Sequence, residues 1–222
     1  MLEQFQQWLY PVLSQGVEGF FQQSAIELVA VGFGLAYLVL AMRESVWCWP
    51  SALISTALFT WVFFDVSLLM ESLLNVYYMA MAVYGFWCWR RIKPSDGVGL
   101  TIATWRFSQH AYALSIIAGL TFVSGYFLSI KTGAAWPYLD SFTTWASVIT
   151  TFMVARKIFE NWFYWLVIDS VALFLYLDRG LYPTALLMMV YLVLVLFGII
   201  NWWKLMQQQS PGMGFGLKTE GA

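Results

Sequence analysis

Charge is scarce in this sequence: 10% of its 222 residues are Asp, Glu, Lys or Arg, against roughly 25% in an ordinary soluble domain. The two signs nearly cancel at a net −1, which leaves no basic face for nucleic acid. Histidine occurs once, at His110, and cysteine twice, at Cys48 and Cys88. Three scattered ligands do not make a metal centre, and no ATP-binding loop is present, so neither a metal nor a cofactor is expected. An enzyme working at a membrane surface needs a nucleophile with a base, or a metal cluster, and a lone histidine supplies neither. The basic segment that opens a secretory leader is also missing, with Glu3 and Glu18 in its place, so no cleavable signal peptide is expected.

Apolar residues fill the gap, at 61% of the chain and a mean hydropathy of +0.70. A single core cannot absorb that much, so apolar surface must face lipid. Seven runs are candidate membrane helices: Glu27–Met42, Cys48–Phe64, Leu68–Trp89, Gln109–Leu128, Phe142–Ala155, Trp162–Leu177 and Leu181–Trp203. The shorter ones need local thinning or flanking aromatics. Trp47, Trp49, Trp87, Trp89, Trp136, Tyr138, Trp162, Tyr164, Trp165, Tyr182, Trp202 and Trp203 crowd the run ends and read as an interfacial belt. Leu2–Gln22 reads as an amphipathic helix lying in the interface, because its many glutamines would sit unpaired in hydrocarbon.

Basic residues set the orientation. Arg43, Arg90, Arg91, Lys93, Arg106, Arg156, Lys157, Lys204 and Lys218 fall on one side of the seven runs, and only Lys131 and Arg179 on the other. The positive-inside rule predicts an outside N-terminus and a cytoplasmic C-terminus in a bacterial inner membrane. Both cysteines then sit at cytoplasmic helix ends, where thiols stay reduced.

A displacement of 113 residues pairs Arg43 with Arg156, Trp49 with Trp162, Asp65 with Asp178, Tyr78 with Tyr191, Gly85 with Gly198 and Trp89 with Trp202. The fold class expected is all-α: seven transmembrane helices in a 3+1+3 parallel repeat, with the fourth as connector. The organisation is then an amphipathic helix over 1–23, a three-helix unit over 24–92, a connector over 93–135, a second unit over 136–205 and a tail over 206–222. Transporters place substrate near the midplane between such repeats.

Polar residues at membrane depth mark where. Glu71, Asn75, Tyr78, Ala82 and Gly85 share one helical face, and Trp162, Trp165, Asp169 and Tyr176 form a similar stripe. Asp169 lies seven residues past Trp162, about 10 Å into its span at 1.5 Å per residue. No basic residue lies at that depth to pair with it, so it is either protonated or left for an external cation. Tyr191 and Ser55 extend the set from neighbouring spans. The candidate substrate-binding residues are Asp169, Asn75, Glu71, Trp165, Tyr78, Tyr191, Trp162 and Ser55. Aromatic faces beside a buried acid suit a cationic, ring-bearing ligand, whereas an inorganic ion would want more oxygen ligands. Thr143, Thr144, Ser147, Thr150 and Thr151 are expected to bond back to their own helix or to pack against neighbours, and Gly85 and Gly198 to allow close packing. Asp65 and Asp178 read as turn or cap residues.

The stretch Glu71-Ser-Leu-Leu-Asn75-Val-Tyr-Tyr78, continuing to Tyr84-Gly85-Phe-Trp87-Cys-Trp89, resembles the third helix of PnuC-type vitamin transporters. So does Glu160-Asn161-Trp162-Phe-Tyr-Trp165-Leu-Val-Ile-Asp169, with Gly180-Leu-Tyr182 and Tyr191…Gly198…Trp202 after it. The resemblance implies an architecture similar to the SWEET sugar transporters, a homotrimer, and facilitated diffusion of a B-type vitamin trapped by cytoplasmic phosphorylation. Acids at 71 and 169, where nicotinamide riboside carriers typically have uncharged residues, resemble the thiamine branch; nicotinamide riboside, itself cationic, is the alternative. From other classes, a scaffold subunit would use these polar residues only as glue between helices. A proton-coupled carrier would use Asp169 as its relay.

Overall fold

The computed structural model describes residues 2–65, 69–91, 100–131 and 135–209, and its regular structure is helical apart from one isolated bridge, Ala103 to Ile158. Eight helices follow in order: α1 (Leu2–Phe21), α2 (Ala25–Met42), α3 (Cys48–Asp65), α4 (Leu69–Arg91), α5 (Phe107–Lys131), α6 (Pro137–Ala155), α7 (Asn161–Asp178) and α8 (Tyr182–Gln209). By length and composition alone α2, α5 and α8 are able to cross a membrane. The polar residues carried by α4 and α7 lower their apolar character without shortening them.

Local signals explain the ends. Ser24 caps α2 in a reciprocal box: its Oγ accepts from the Glu27 N–H at 3.2 Å, and the Glu27 carboxylate accepts from the Ser24 N–H at 2.7 Å. Pro137 opens α6, where its missing N–H costs nothing, so this helix begins ahead of the expected Phe142. α8 runs past Trp203 to Gln209. α2 and α6 end alike, with Arg43 and Arg156 at the cap and Glu44 and Lys157 in the left-handed region, both at φ 52°.

The helices close a circuit. α2 packs on α3, α3 on α4, α4 on α6, α6 on α7, α7 on α8, and α8 returns to α2. Outside the circuit, α5 packs on α6 and α1 on α8. α1 lies antiparallel to the start of α8, with Gly19 against Pro183 and Gly16 against Tyr182 and Leu186. Residues 100–106 run along the α6–α7 turn. Ala103 donates its N–H to the Lys157 carbonyl at 3.0 Å and accepts from the Phe159 N–H at 2.8 Å. The Ile102 N–H reaches Gln209 Oε1 at 2.9 Å, and the Trp105 N–H reaches the Glu160 carboxylate.

The aromatic belt expected at the run ends holds only in part. Trp47, Trp87, Trp136 and Trp203 are exposed, but Trp49, Trp162 and Trp202 are almost wholly buried. Glycines explain the difference. A Cβ on Gly85 would overlap the Trp49 ring, and one on Gly198 would overlap Trp162. Each indole fills a slot that its own triplet of helices leaves open. These tryptophans are core, not anchors.

Candidate functional site

The polar residues of α4, α7 and α8 meet inside the circuit. Asp169 stands midway along α7 and is 6% exposed. Tyr78 on α4, Tyr176 on α7 and Tyr191 on α8 lie within electrostatic range of its side chain. Among the described residues it has no hydrogen bond and no ion pair. The ion pairs that are described, His110–Glu160, Lys157–Glu44 and Arg179–Asp140, all lie at helix ends. An ionised acid in such a place costs several kcal/mol, of order, unless something positive arrives.

The two tyrosines from the circuit's third and sixth helices are placed alike. The Tyr78 hydroxyl faces Ser147 on α6. The Tyr191 hydroxyl approaches α2 at Gly34, where an added Cβ would stand 3.1 Å from it and 3.2 Å from Ser55 Oγ. Gly34 and Ser147 are themselves 113 residues apart. Ser55 is buried and donates to the Ala30 carbonyl at 2.8 Å, so its hydroxyl proton already ties α3 to α2.

The other candidates are spread along the same helices. Asn75 is buried and donates Nδ2 to the Glu71 carbonyl at 2.9 Å, leaving its own carbonyl oxygen for another partner. Glu71 is exposed near the start of α4, within electrostatic range of Tyr176. Trp165 is half-buried and packs against all three apolar clusters of the fold, which puts it at their junction. Trp162 stands apart from this group, two turns from Asp169, where it meets Trp202 edge-on at 5.4 Å. The slot over Gly198 draws it toward packing, away from the acid. On α6, Thr143 and Thr144 bond to Asp140, Thr150 to Ala146 and Thr151 to Ser147, each through its own helix's carbonyls. Asp178, read from sequence as a turn residue, accepts a bond from the Trp136 indole at 2.8 Å.

One neighbour escaped the sequence reading. Tyr37 on α2 is within electrostatic range of Tyr78 and Tyr191 and stacks at a tilt on Trp49, 6.1 Å between centroids. A signal was there: Ala30, Gly34, Tyr37 and Ala41 recur at i, i+4, i+7 and i+11, a small-residue stripe that marks the inward face of α2.

One acid among three phenols, with no cation beside it among the described residues, can neutralise one positive charge and offer ring faces to a flat ligand. Among the described residues no group of three His, Cys, Asp or Glu side chains could hold a metal ion.

A family model described as "Nicotinamide mononucleotide transporter" matches residues 24–204. The chain belongs to the nicotinamide mononucleotide transporter family. That match runs from the cap of α2 to the last turns of α8 and takes in every residue of the site, while α1 lies outside it. Relatives in the family carry different names. The riboflavin/roseoflavin transporter RibM of Streptomyces davaonensis is 29% identical over 187 residues, covering 83% of this chain and 87% of RibM. The nicotinamide riboside transporter PnuC of Escherichia coli is 26% identical over 211 residues, with the same coverage. The crystal structure of the vitamin B3 transporter PnuC aligns with a TM-score of 0.69 over 91% of each chain at 23% identity, so the fold is shared.

Proposed function

We propose that this protein carries a cationic, ring-bearing B-type vitamin across the bacterial inner membrane, with thiamine as the first candidate. The observation that carries the reading is Asp169, buried mid-helix among Tyr78, Tyr176 and Tyr191 and, among the described residues, without a protein cation beside it. A fixed thiazolium charge offsets the cost of that acid, and the aminopyrimidine ring can stack on a phenol while donating hydrogen bonds to carboxylate or amide oxygens. Glu71, on the exposed start of α4, attracts the cation from outside. Asn75 orients it, and Trp165 and Tyr37 close the sides.

The basic ends of α2, α4, α6 and α8 face the cytoplasm, and the start of α2 faces outward. Helices α2–α4 and α6–α8 are the two halves of a 3+1+3 carrier, joined by α5 and rocking about the site between them. Transport is downhill, and phosphorylation in the cytoplasm traps the product. The working unit is a homotrimer.

Nicotinamide riboside is the second reading. It is favoured by the names of the PnuC relatives and by its own positive ring. A flavin, carried by name in RibM, is neutral and leaves Asp169 without a counter-charge.

Thermal melting of the purified protein in detergent separates these. A ligand that binds only the folded state at 100 times its Kd stabilises it by about 2.7 kcal/mol. Thiamine is expected to raise the melting temperature at lower concentration than nicotinamide riboside, and riboflavin least of all. A larger shift with riboflavin than with either cation overturns the charge argument, and no shift with any of the three favours a scaffold.

A further inference from the structure

The basic end of the circuit carries a construction that the binding site does not use. Trp89, on α4, donates Nε1 to the Ala155 carbonyl at the end of α6, 3.2 Å away. Trp202, on α8, donates Nε1 to the Ala41 carbonyl at the end of α2, 3.0 Å away. The two bonds correspond to within one residue, Ala155 matching Met42 and not Ala41, and in each one half of the molecule reaches over to cap the first helix of the other. Each indole also sits edge-on to a tryptophan of its own half, Trp89 to Trp49 and Trp202 to Trp162, both at 5.4 Å. The two pairs meet in the middle, with Trp89 and Trp202 at 6.4 Å.

Polar ties surround this layer. The left-handed residues Glu44 and Lys157, which occupy matching places in the two halves, form an ion pair at 3.1 Å. The Lys157 ammonium also lies 4.7 Å from the centre of a Trp89 ring. Asn201 donates to the Met42 carbonyl at 2.7 Å, and Gln209 donates to Glu44 at 3.3 Å. Each of these polar ties, and each of the two indole-to-carbonyl bonds, joins the half that holds α2–α4 to the half that holds α6–α8.

We infer that the four tryptophans and the Glu44–Lys157 pair form the cytoplasmic gate, shut in this structure, and that it opens when the two halves part. The assignment rests on the transporter reading for its purpose but not for its test. Cys48 is the natural reporter. It is wholly buried and shares its apolar cluster with Trp49 and Ala82 of its own half and with Val154 and Ala155 of the other. Parting the halves uncovers it.

The experiment follows maleimide labelling of Cys48 in the full-length protein in detergent, with Cys88→Ser removing the other thiol. Glu44→Lys and Lys157→Glu each place like charges in contact and are expected to raise the labelling rate about tenfold through a larger open population. The double exchange, Glu44→Lys with Lys157→Glu, is expected to return it toward the parent rate. A variant that merely unfolds is not rescued by the exchange, and labelling that stays high in it overturns the gate. So does a parent-like rate in both single variants. These rates need no vitamin, so a failure to find a ligand and a failure of the gate are read separately. In proteoliposomes the gate further requires that Trp89→Phe with Trp202→Phe change the rate of uptake, while the ligand's effect on melting stays as in the parent. Unchanged uptake overturns it.

Discussion

The two halves of the molecule match closely at the basic end and diverge halfway through the membrane. At the end, each half sets a tryptophan against a glycine, and an indole-to-carbonyl bond is made in each direction. Midway, Tyr78 and Tyr191 still correspond, but Asp169 of α7 corresponds to Thr56 of α3, Asn75 of α4 to Met188 of α8, and Trp165 to Ala52. Thr56 donates back to the Ala52 carbonyl at 2.8 Å, so its proton is engaged within its own helix, and it carries no charge for a cation. Packing that moves as two similar bodies in the proposed rocking is duplicated. Chemistry that must hold one asymmetric molecule is not.

The largest expected effect tests the duplicated part. Gly85→Leu and Gly198→Leu drive a branched side chain into the Trp49 and Trp162 rings. Each is expected to cost about 3 kcal/mol or more, the upper range for overpacking, seen as lost folded protein or a much lower melting temperature. The two should hurt to a similar degree. A large inequality would mean that the halves are alike in sequence but not in how they bear load.

A second comparison sets Asp169→Asn against Thr56→Val at the matching position. The first is expected to weaken thiamine binding about tenfold or more, roughly 1.4 kcal/mol. It should leave thermal stability unchanged or slightly higher, because an unpaired buried acid is removed. The second is expected to leave affinity within about twofold, or about 0.4 kcal/mol. Titration calorimetry in detergent measures both, and equal losses would erase the distinction between the halves. The smallest effect belongs to Glu71→Gln. This carboxylate is exposed and screened by salt, so a loss of about threefold at low ionic strength, roughly 0.6 kcal/mol, is expected to shrink in 0.5 M salt in the same titration.

Much of this was legible before any coordinates. The long apolar runs placed the helices because hydrocarbon demands continuous hydrogen-bonded backbone. The 113-residue echo was visible because matched tryptophans, glycines and charges at helix ends arise by chance less easily than matched leucines. Asp169 stood out because depth follows from counting residues, and the α6 threonines returned to their own carbonyls as such residues do in apolar surroundings. The direction in which Trp49, Trp162 and Trp202 point was not legible. A tryptophan at a run end satisfies the interfacial rule whether it faces headgroups or a glycine slot, and only the opposing helix decides. Tyr37 was missed for a related reason: its stripe of small residues is quiet, and attention went to charge.

The segment 100–106 has a mechanical consequence. Its backbone is fastened to Lys157, Phe159, Glu160 and Gln209, and His110 just beyond it touches the Tyr164 hydroxyl at 3.0 Å. All of these anchors belong to one side. The strap is therefore lopsided: in the proposed rocking, α5 and residues 100–106 travel as cargo of α6–α8. Cutting the tie between the Trp105 N–H and Glu160 would loosen that cargo from its carrier without touching the surroundings of Asp169.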